Sequence, residues 1–93
     1  MRVRAHVYVR GRVQGVFFRS ETRRRARGSR VTGWIRNLPD GRVEAVFEGE
    51  KDGVQKLVDF CKEGPSGAKV AGTEVTWEVY SGAFEDFRIT WAC

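Results

Sequence analysis

Residues 2–27 read RVRAHVYVRGRVQGVFFRSETRRRAR, and this stretch shows a period of two that gives way to a helical period. Its first nine residues alternate between apolar and polar, which predicts a half-buried strand from Arg2 to Arg10. The inward positions of this strand are Val3, Ala5, Val7 and Val9. A helix is expected from about Phe18, because one face then repeats at four-residue spacing. The inward stripe of that helix is Phe18, Thr22 and Ala26.

The nine residues GRVQGVFFR at positions 11–19 join the strand to the helix. Gly11 and Gly15 allow successive backbone N–H groups to converge on one point. The start of the helix adds free donors and the positive end of its dipole, and Arg19 in the first turn is able to grip two oxygens of one anion. The pattern predicts a cradle for a phosphate or carboxylate. On spacing alone, a tight connection with a solvated arginine remains the alternative.

The second half of the predicted sheet begins with a hairpin. Residues 31–36 read as a strand, residues 37–41 (NLPDG) as a turn, and residues 42–48 as a second alternating strand. The inward positions of this last strand are Val43, Ala45 and Phe47.

A second helix is expected from about Lys51, and the sequence GPSG at 64–67 ends it. Its apolar stripe is Val54, Leu57, Val58 and Cys61. Two strands follow, one over residues 73–80 and one after residue 86. Their expected inward positions are Val75, Trp77 and Val79, and then Phe87, Ile89 and Trp91.

The order strand, helix, strand, strand, helix, strand, with a further C-terminal strand, predicts an α+β fold. Each element has one apolar face, so both helices should pack on one face of a mainly antiparallel sheet. Two β-α-β units interlocked through the hairpin form a ferredoxin-like α/β sandwich. We expect residues 1–93 to form a single domain, because the chain is too short for two.

Charge is distributed unevenly along the chain. Residues 1–42 hold twelve arginines and two acids, whereas residues 43–93 hold five cationic side chains and ten acids. The basic half carries the loop, which favours an anionic partner. No apolar run is long enough for a bilayer or a signal peptide, so we expect a soluble, cytoplasmic protein without a membrane partner.

The two cysteines and the single histidine do not form a metal-ligand pattern, so we predict no metal. Cys61 should be a small buried hydrophobe, and Cys93, the last residue, an exposed thiol. The loop lacks the Gly-Lys-Ser/Thr ending of a nucleotide-binding P-loop, and it contains no cysteine nucleophile. His6 has no evident partner for serine-type hydrolysis. A phosphate site without a protein nucleophile remains.

The motif GRVQGVFFR at 11–19 is followed by GWIRNLPDG at 33–41 and VEA at 43–45. Together with Gly64-Pro65 and Phe87-Arg88-Ile89, these residues resemble the acylphosphatase family over nearly the whole chain. The resemblance implies hydrolysis of a carboxylic-phosphoric mixed anhydride to a carboxylate and inorganic phosphate, without a cofactor. A small acyl phosphate would be the substrate, phosphate a competitive inhibitor, and the protein a monomer.

The resemblance also implies roles for individual residues. Arg19 would bind the phosphoryl group, and Asn37 would orient the attacking water. The backbone N–H groups of the loop would assist Arg19. The residues of this phosphate-binding loop are Arg12, Val13, Gln14, Gly15, Val16 and Phe17. Such roles suit phosphoryl transfer, which needs mainly positioning and stabilisation of charge.

One departure from the family pattern follows the first helix, where Ser29-Arg30 stands in place of the usual Leu-Gly. The helix should therefore stop early at Gly28, or Arg30 must accept a positive φ.

Two other functions remain open. One is an RNA-binding module that uses Tyr8, Trp34 and Tyr80 on the open face of the sheet. The outward glutamates of that face, Glu44, Glu48 and Glu78, would repel an RNA backbone, and no RNA-recognition signature is present, so we expect no nucleic-acid partner. The other is an acylphosphatase-like domain that only binds phosphate.

Overall fold

A computed structural model of the chain describes residues 1–91 and shows the expected order of elements. The strands are β1 (Arg2–Arg12), β2 (Thr32–Asn37), β3 (Val43–Glu50), β4 (Lys69–Glu78) and β5 (Phe87–Ile89). The helices are α1 (Phe18–Gly28) and α2 (Lys51–Glu63). The predicted α+β, ferredoxin-like architecture is confirmed.

The five strands form one sheet in the order β4-β1-β3-β2-β5. All neighbours are antiparallel except β2 and β5, which run parallel. The inward side chains of the central strands are buried with the apolar stripes of both helices, as expected, except that Val3 at the start of β1 is only partly buried. The members of this core include Ala5, Val7, Val9, Phe18, Ala26, Ile35, Val43, Ala45, Phe47, Val54, Leu57, Val58, Cys61 and Phe87.

The first helix ends in an unusual way, and the sequence anticipated the choice. Gly28 remains helical, and Arg30 takes up a left-handed conformation with φ of 55°. The Val31 N–H donates to the Ala26 carbonyl at 2.8 Å, and the Arg30 N–H donates to the Arg27 carbonyl at 3.3 Å. These two bonds form a Schellman motif, whose left-handed position normally holds glycine. An arginine at this position adds strain to the folded state.

Substituting Arg30→Gly is therefore expected to stabilise the protein by up to about 1 kcal/mol. The substitution removes a strain of about 1–2 kcal/mol from the folded state, but glycine also increases the conformational entropy of the unfolded chain, which offsets part of the gain. The Arg30 side chain is exposed, so little packing is lost. Chemical denaturation should show a higher midpoint at an unchanged slope. Arg23→Gly in the middle of the same helix is the control and should destabilise by about 1 kcal/mol. Equal destabilisation by both substitutions would contradict the strain at Arg30.

Strand β1 extends two residues further than predicted, so Gly11 and Arg12 belong to the sheet rather than the loop. The pairing of β1 with β4 shifts at Arg10 and Gly11, and Arg12 faces Lys69. A Cβ atom on Gly11 would lie 2.3 Å from the Lys69 carbonyl oxygen. Gly11 is thus required by the close passage of β4, and the additional pairing starts that strand at Lys69, four residues earlier than expected.

Two outward glutamates of β3, Glu44 and Glu48, are buried, which the sequence did not reveal. Glu48 is completely inaccessible, and its carboxylate accepts hydrogen bonds from the Ser81 N–H (2.9 Å), the Ser81 hydroxyl (2.8 Å) and the Gly82 N–H (3.1 Å). Burial acts to raise the pKa of Glu48, but these hydrogen bonds and the charge of Arg4 outweigh it, so the pKa lies below its usual value. Glu48 therefore holds the chain after β4 against the outer face of the sheet.

That path of the chain corrects two expectations about the edge strand. Trp77 and Val79 were predicted to face the core, but they are 45% and 88% exposed, respectively. Strand β4 ends at Glu78, and the chain then leaves the sheet to reach Glu48 on its outer face. Val79 consequently has no layer to pack against.

Cys61 is buried as predicted, and burial raises the pKa of its thiol to about 12. The expectation for Cys93 lies outside the described residues. Within residues 1–91, neither helix is both long and apolar enough to cross a membrane.

Candidate functional site

The loop between β1 and α1 has a backbone shape that few residue types adopt. Gly15 has φ of 75° and no neighbouring atom within 4 Å of a Cβ position, so its conformation rather than its size requires glycine. Phe17 is also left-handed, with φ of 61°, and its side chain is 82% exposed. Strained non-glycine residues of this kind cluster at functional sites.

The start of α1 is left open by this loop. Phe17 is the N-cap, and it makes no side-chain hydrogen bond to the first turn. The backbone N–H groups of residues 18–20 have no acceptor elsewhere in residues 1–91. Free donors at the positive end of a helix dipole form a suitable site for an anion.

Arg19 lies in this first turn and borders a cavity of about 320 Å³. Its guanidinium carbon lies 4.4 Å from the centre of the Trp91 ring. Arg19 forms no ion pair with a carboxylate of residues 1–91, in contrast to Arg27 and Arg36. The charge of Arg19 is therefore available to a ligand.

Asn37, the last residue of β2, borders the same cavity. Its Oδ1 atom is buried and accepts no hydrogen bond from the described part of the chain. A buried acceptor without a partner costs about 1–3 kcal/mol, so this atom is suited to accept a hydrogen bond from water or a ligand.

Gln14 connects the loop to the hairpin that carries Asn37. Its Nε2 atom donates to the Leu38 carbonyl at 2.8 Å and to the Arg42 carbonyl at 3.0 Å. These two hydrogen bonds, one from each N–H of the amide, join the two motifs. The side chain of Gln14 is thus part of the scaffold of the site, in a manner that spacing along the chain did not indicate.

The structure brings five of the eight predicted site residues together around the cavity: Val13, Gly15, Phe17, Arg19 and Asn37. Arg12, Gln14 and Val16 do not border it, because Arg12 is exposed at the end of β1 and Val16 packs against the core. The prediction missed Trp91, which was expected to face inward. Strand β5 ends at Ile89, and Trp91 beyond it is 76% exposed, so the alternating pattern did not extend to it.

A larger cavity of about 500 Å³ lies on the outer face of the sheet, between β2, β5 and residues 83–86. It contains none of the predicted site residues. Its two cationic side chains are Arg36, which is bound to Glu44, and the exposed Arg88. Chemistry rather than size therefore identifies the cavity at Arg19 as the candidate site. Within residues 1–91, no three His, Cys, Asp or Glu side chains are placed so that they could hold a metal ion.

Comparisons with known proteins bear on the family of the chain. Residues 5–89 match the acylphosphatase family model. An acylphosphatase of Syntrophus aciditrophicus is 57% identical over 89 residues, covering 96% of this chain and 93% of that protein. One from Chloroflexus aurantiacus is 58% identical over 89 residues, covering 96% and 97%, respectively.

A solved structure leads to the same conclusion. The crystal structure of an acylphosphatase from Bacillus subtilis superposes with a TM-score of 0.91 at 34% identity, covering 96% of this chain and 99% of that one. Since the family model and these relatives span nearly the entire sequence, the chain belongs to the acylphosphatase family.

Proposed function

We propose that this protein hydrolyses acyl phosphates to a carboxylate and inorganic phosphate by direct in-line attack of water. One observation carries the proposal: Arg19 and the Asn37 Oδ1 atom border the same cavity beside the N-terminus of α1, and within residues 1–91 the arginine has no carboxylate partner and the Oδ1 atom has no hydrogen-bond donor. The family membership of the chain supports the same reaction.

The phosphoryl group would be held by Arg19 and the loop. The guanidinium offers a planar fork of N–H donors to two phosphoryl oxygens, and the free N–H groups at the start of α1 are further donors for the same charge. Charge on these oxygens is what the transition state of phosphoryl transfer requires the protein to stabilise.

The attacking water would be held by Asn37. The Oδ1 atom accepts a hydrogen bond from the water, and the lone pairs of the water oxygen remain free to attack phosphorus. As the new P–O bond forms, the bond from phosphorus to the acyl oxygen breaks, and its electron pair leaves with the carboxylate. The proton of the water passes to solvent or to the phosphate product. A carboxylate is a good leaving group, so no strong general acid is needed.

The substrate would bind to a single chain without a cofactor. The enzyme would act as a monomer, and inorganic phosphate would be a competitive inhibitor, because the donors that hold the phosphoryl group of the substrate would also hold the phosphate product. The buried, unpaired thiol of Cys61 supports a reducing compartment such as the cytoplasm.

The direct test is hydrolysis of benzoyl phosphate by purified protein in the presence of a chelator. We expect turnover to persist without added metal and inorganic phosphate to inhibit competitively. Arg23→Ala is the control, because it removes one positive charge from α1 without touching the cavity. Phosphate binding without turnover would instead support a binding domain, and a salt-dependent mobility shift of RNA at physiological ionic strength would support the RNA-binding alternative.

A further inference from the structure

The Trp91 ring occupies a position that core packing does not explain. It lies two residues beyond the end of β5 and is 76% exposed. Burial of apolar surface therefore contributes little to holding it there. Its described contact is with the guanidinium of Arg19, 4.4 Å from the ring centre, and both side chains border the same cavity.

We propose that Trp91 is a positioning residue, which holds the Arg19 guanidinium ready to receive the phosphoryl group. The inference rests on the proposed role of Arg19 as the phosphate ligand. Trp91 itself would not touch the reacting atoms.

The type of contact matters for this role. Other arginines of the protein are held by carboxylates, such as Arg27 by Asp86 at 2.8 Å and Arg36 by Glu44 at 2.7 Å. A carboxylate occupies the N–H donors of a guanidinium and offsets its charge. An aromatic ring attracts the cation through its π face, which leaves the N–H edge and the full charge available to a phosphate. A tryptophan therefore orients Arg19 without competing with its ligand.

Orientation in advance should strengthen phosphate binding. A free arginine side chain loses rotamer entropy when it grips an anion. If the ring has already restricted the side chain, less is lost on binding. Exposed cation–π contacts are worth about 0.5–1 kcal/mol, which corresponds to a two- to fivefold change in phosphate affinity.

The test compares Trp91→Leu with Trp91→Phe in titrations with inorganic phosphate. Leucine keeps apolar bulk but has no π face, so we expect phosphate to bind about two- to fivefold more weakly. Phenylalanine retains a π face, so the Trp91→Phe variant should bind phosphate with nearly the affinity of the unaltered protein. Melting temperatures should change little in both variants, because the Trp91 side chain is largely exposed.

Fluorescence reports whether phosphate binds beside Trp91, as the inference requires, and the affinity retained by Trp91→Phe then separates a positioning role from a structural one. Phosphate should alter the indole emission of the unaltered protein, since the charge beside Trp91 changes on binding. The change should disappear in Trp91→Phe. It should persist in the control Trp77→Phe, because position 77 lies on β4, at the opposite edge of the sheet from β5.

Two results would overturn the inference. One is an unchanged phosphate affinity in Trp91→Leu, and the other is an equal loss of affinity in the leucine and phenylalanine variants. If phosphate affinity is unchanged but KM for benzoyl phosphate rises in Trp91→Leu, the indole contacts the acyl group instead. Because the titration needs no turnover, a protein that binds phosphate without hydrolysis would disprove the proposed function and still decide the role of Trp91.

Discussion

Replacing Arg19 with alanine is expected to lower kcat/KM for benzoyl phosphate by about a thousandfold or more, as is typical for an arginine that stabilises a transferring phosphoryl group. Phosphate binding should weaken at least about tenfold in the same variant, since each charge-assisted hydrogen bond contributes about 1.5–3 kcal/mol. The two losses would share one cause, because the proposed role of Arg19 places its guanidinium on the phosphoryl oxygens in the substrate, the transition state and the product. Steady-state kinetics and phosphate titration measure them separately.

Two further variants separate the position of Arg19 from its charge. Arg23→Ala removes the same charge one turn later in α1, where the side chain does not border the cavity. At physiological ionic strength this variant should change KM by no more than about twofold, because solvent and salt screen exposed charges. Arg19→Lys keeps the charge but loses the planar fork, so its activity should be intermediate. If Arg19→Ala and Arg23→Ala lose equal amounts of activity and phosphate affinity, the anion is bound by the overall positive charge of α1 and not by Arg19 in particular.

Replacing Asn37 with alanine should separate turnover from binding. We expect kcat to fall by about a hundredfold or more, the scale of effect when a reacting group is no longer held in line. Phosphate affinity should stay within about threefold, because the neutral Asn37 side chain contributes little compared with a charge-assisted contact. Stability should not decrease, since the Oδ1 atom makes no hydrogen bond that the substitution would break in residues 1–91.

Asn37→Asp provides the matched contrast. The carboxylate has nearly the same shape as the amide, but it places a negative charge beside the phosphate site. Both turnover and phosphate affinity should therefore fall in this variant. If Asn37→Ala weakens phosphate binding as much as Arg19→Ala does, separate roles for water positioning and phosphoryl binding would be disproved.

The site depends on a contact between two motifs that are distant in sequence. Gln14 in the loop donates to the carbonyls of Leu38 and Arg42, which bracket the hairpin turn after Asn37. In the proposed mechanism, this contact helps to set the distance between a phosphoryl group bound by Arg19 and a water held by Asn37. A displacement of about 1 Å in such an arrangement costs about a hundredfold in rate, so the link is as important as the residues that it joins.

Most of the architecture was predictable because it is recorded in local periodicity. Alternation in β1 and β3, and four-residue spacing in α1, identify the side chains that face the core, and the structure confirms the stripe of Phe18, Thr22 and Ala26. The two outcomes allowed for the end of α1 also followed from residue type, because only Gly28 or Arg30 was able to supply the stop.

Other features required the folded chain, because they depend on which surfaces meet across the sheet. Glu48 has the sequence phase of an exposed residue, yet Ser81 and Gly82 cover it. Gly11 reads as a loop glycine, although the passage of β4 determines it. Trp91 continues the alternation that marks core residues in β5, but its ring contacts the Arg19 guanidinium instead. Local alternation reports which side of a strand a residue occupies, whereas these contacts join segments far apart in sequence and leave no periodic pattern from which to predict them.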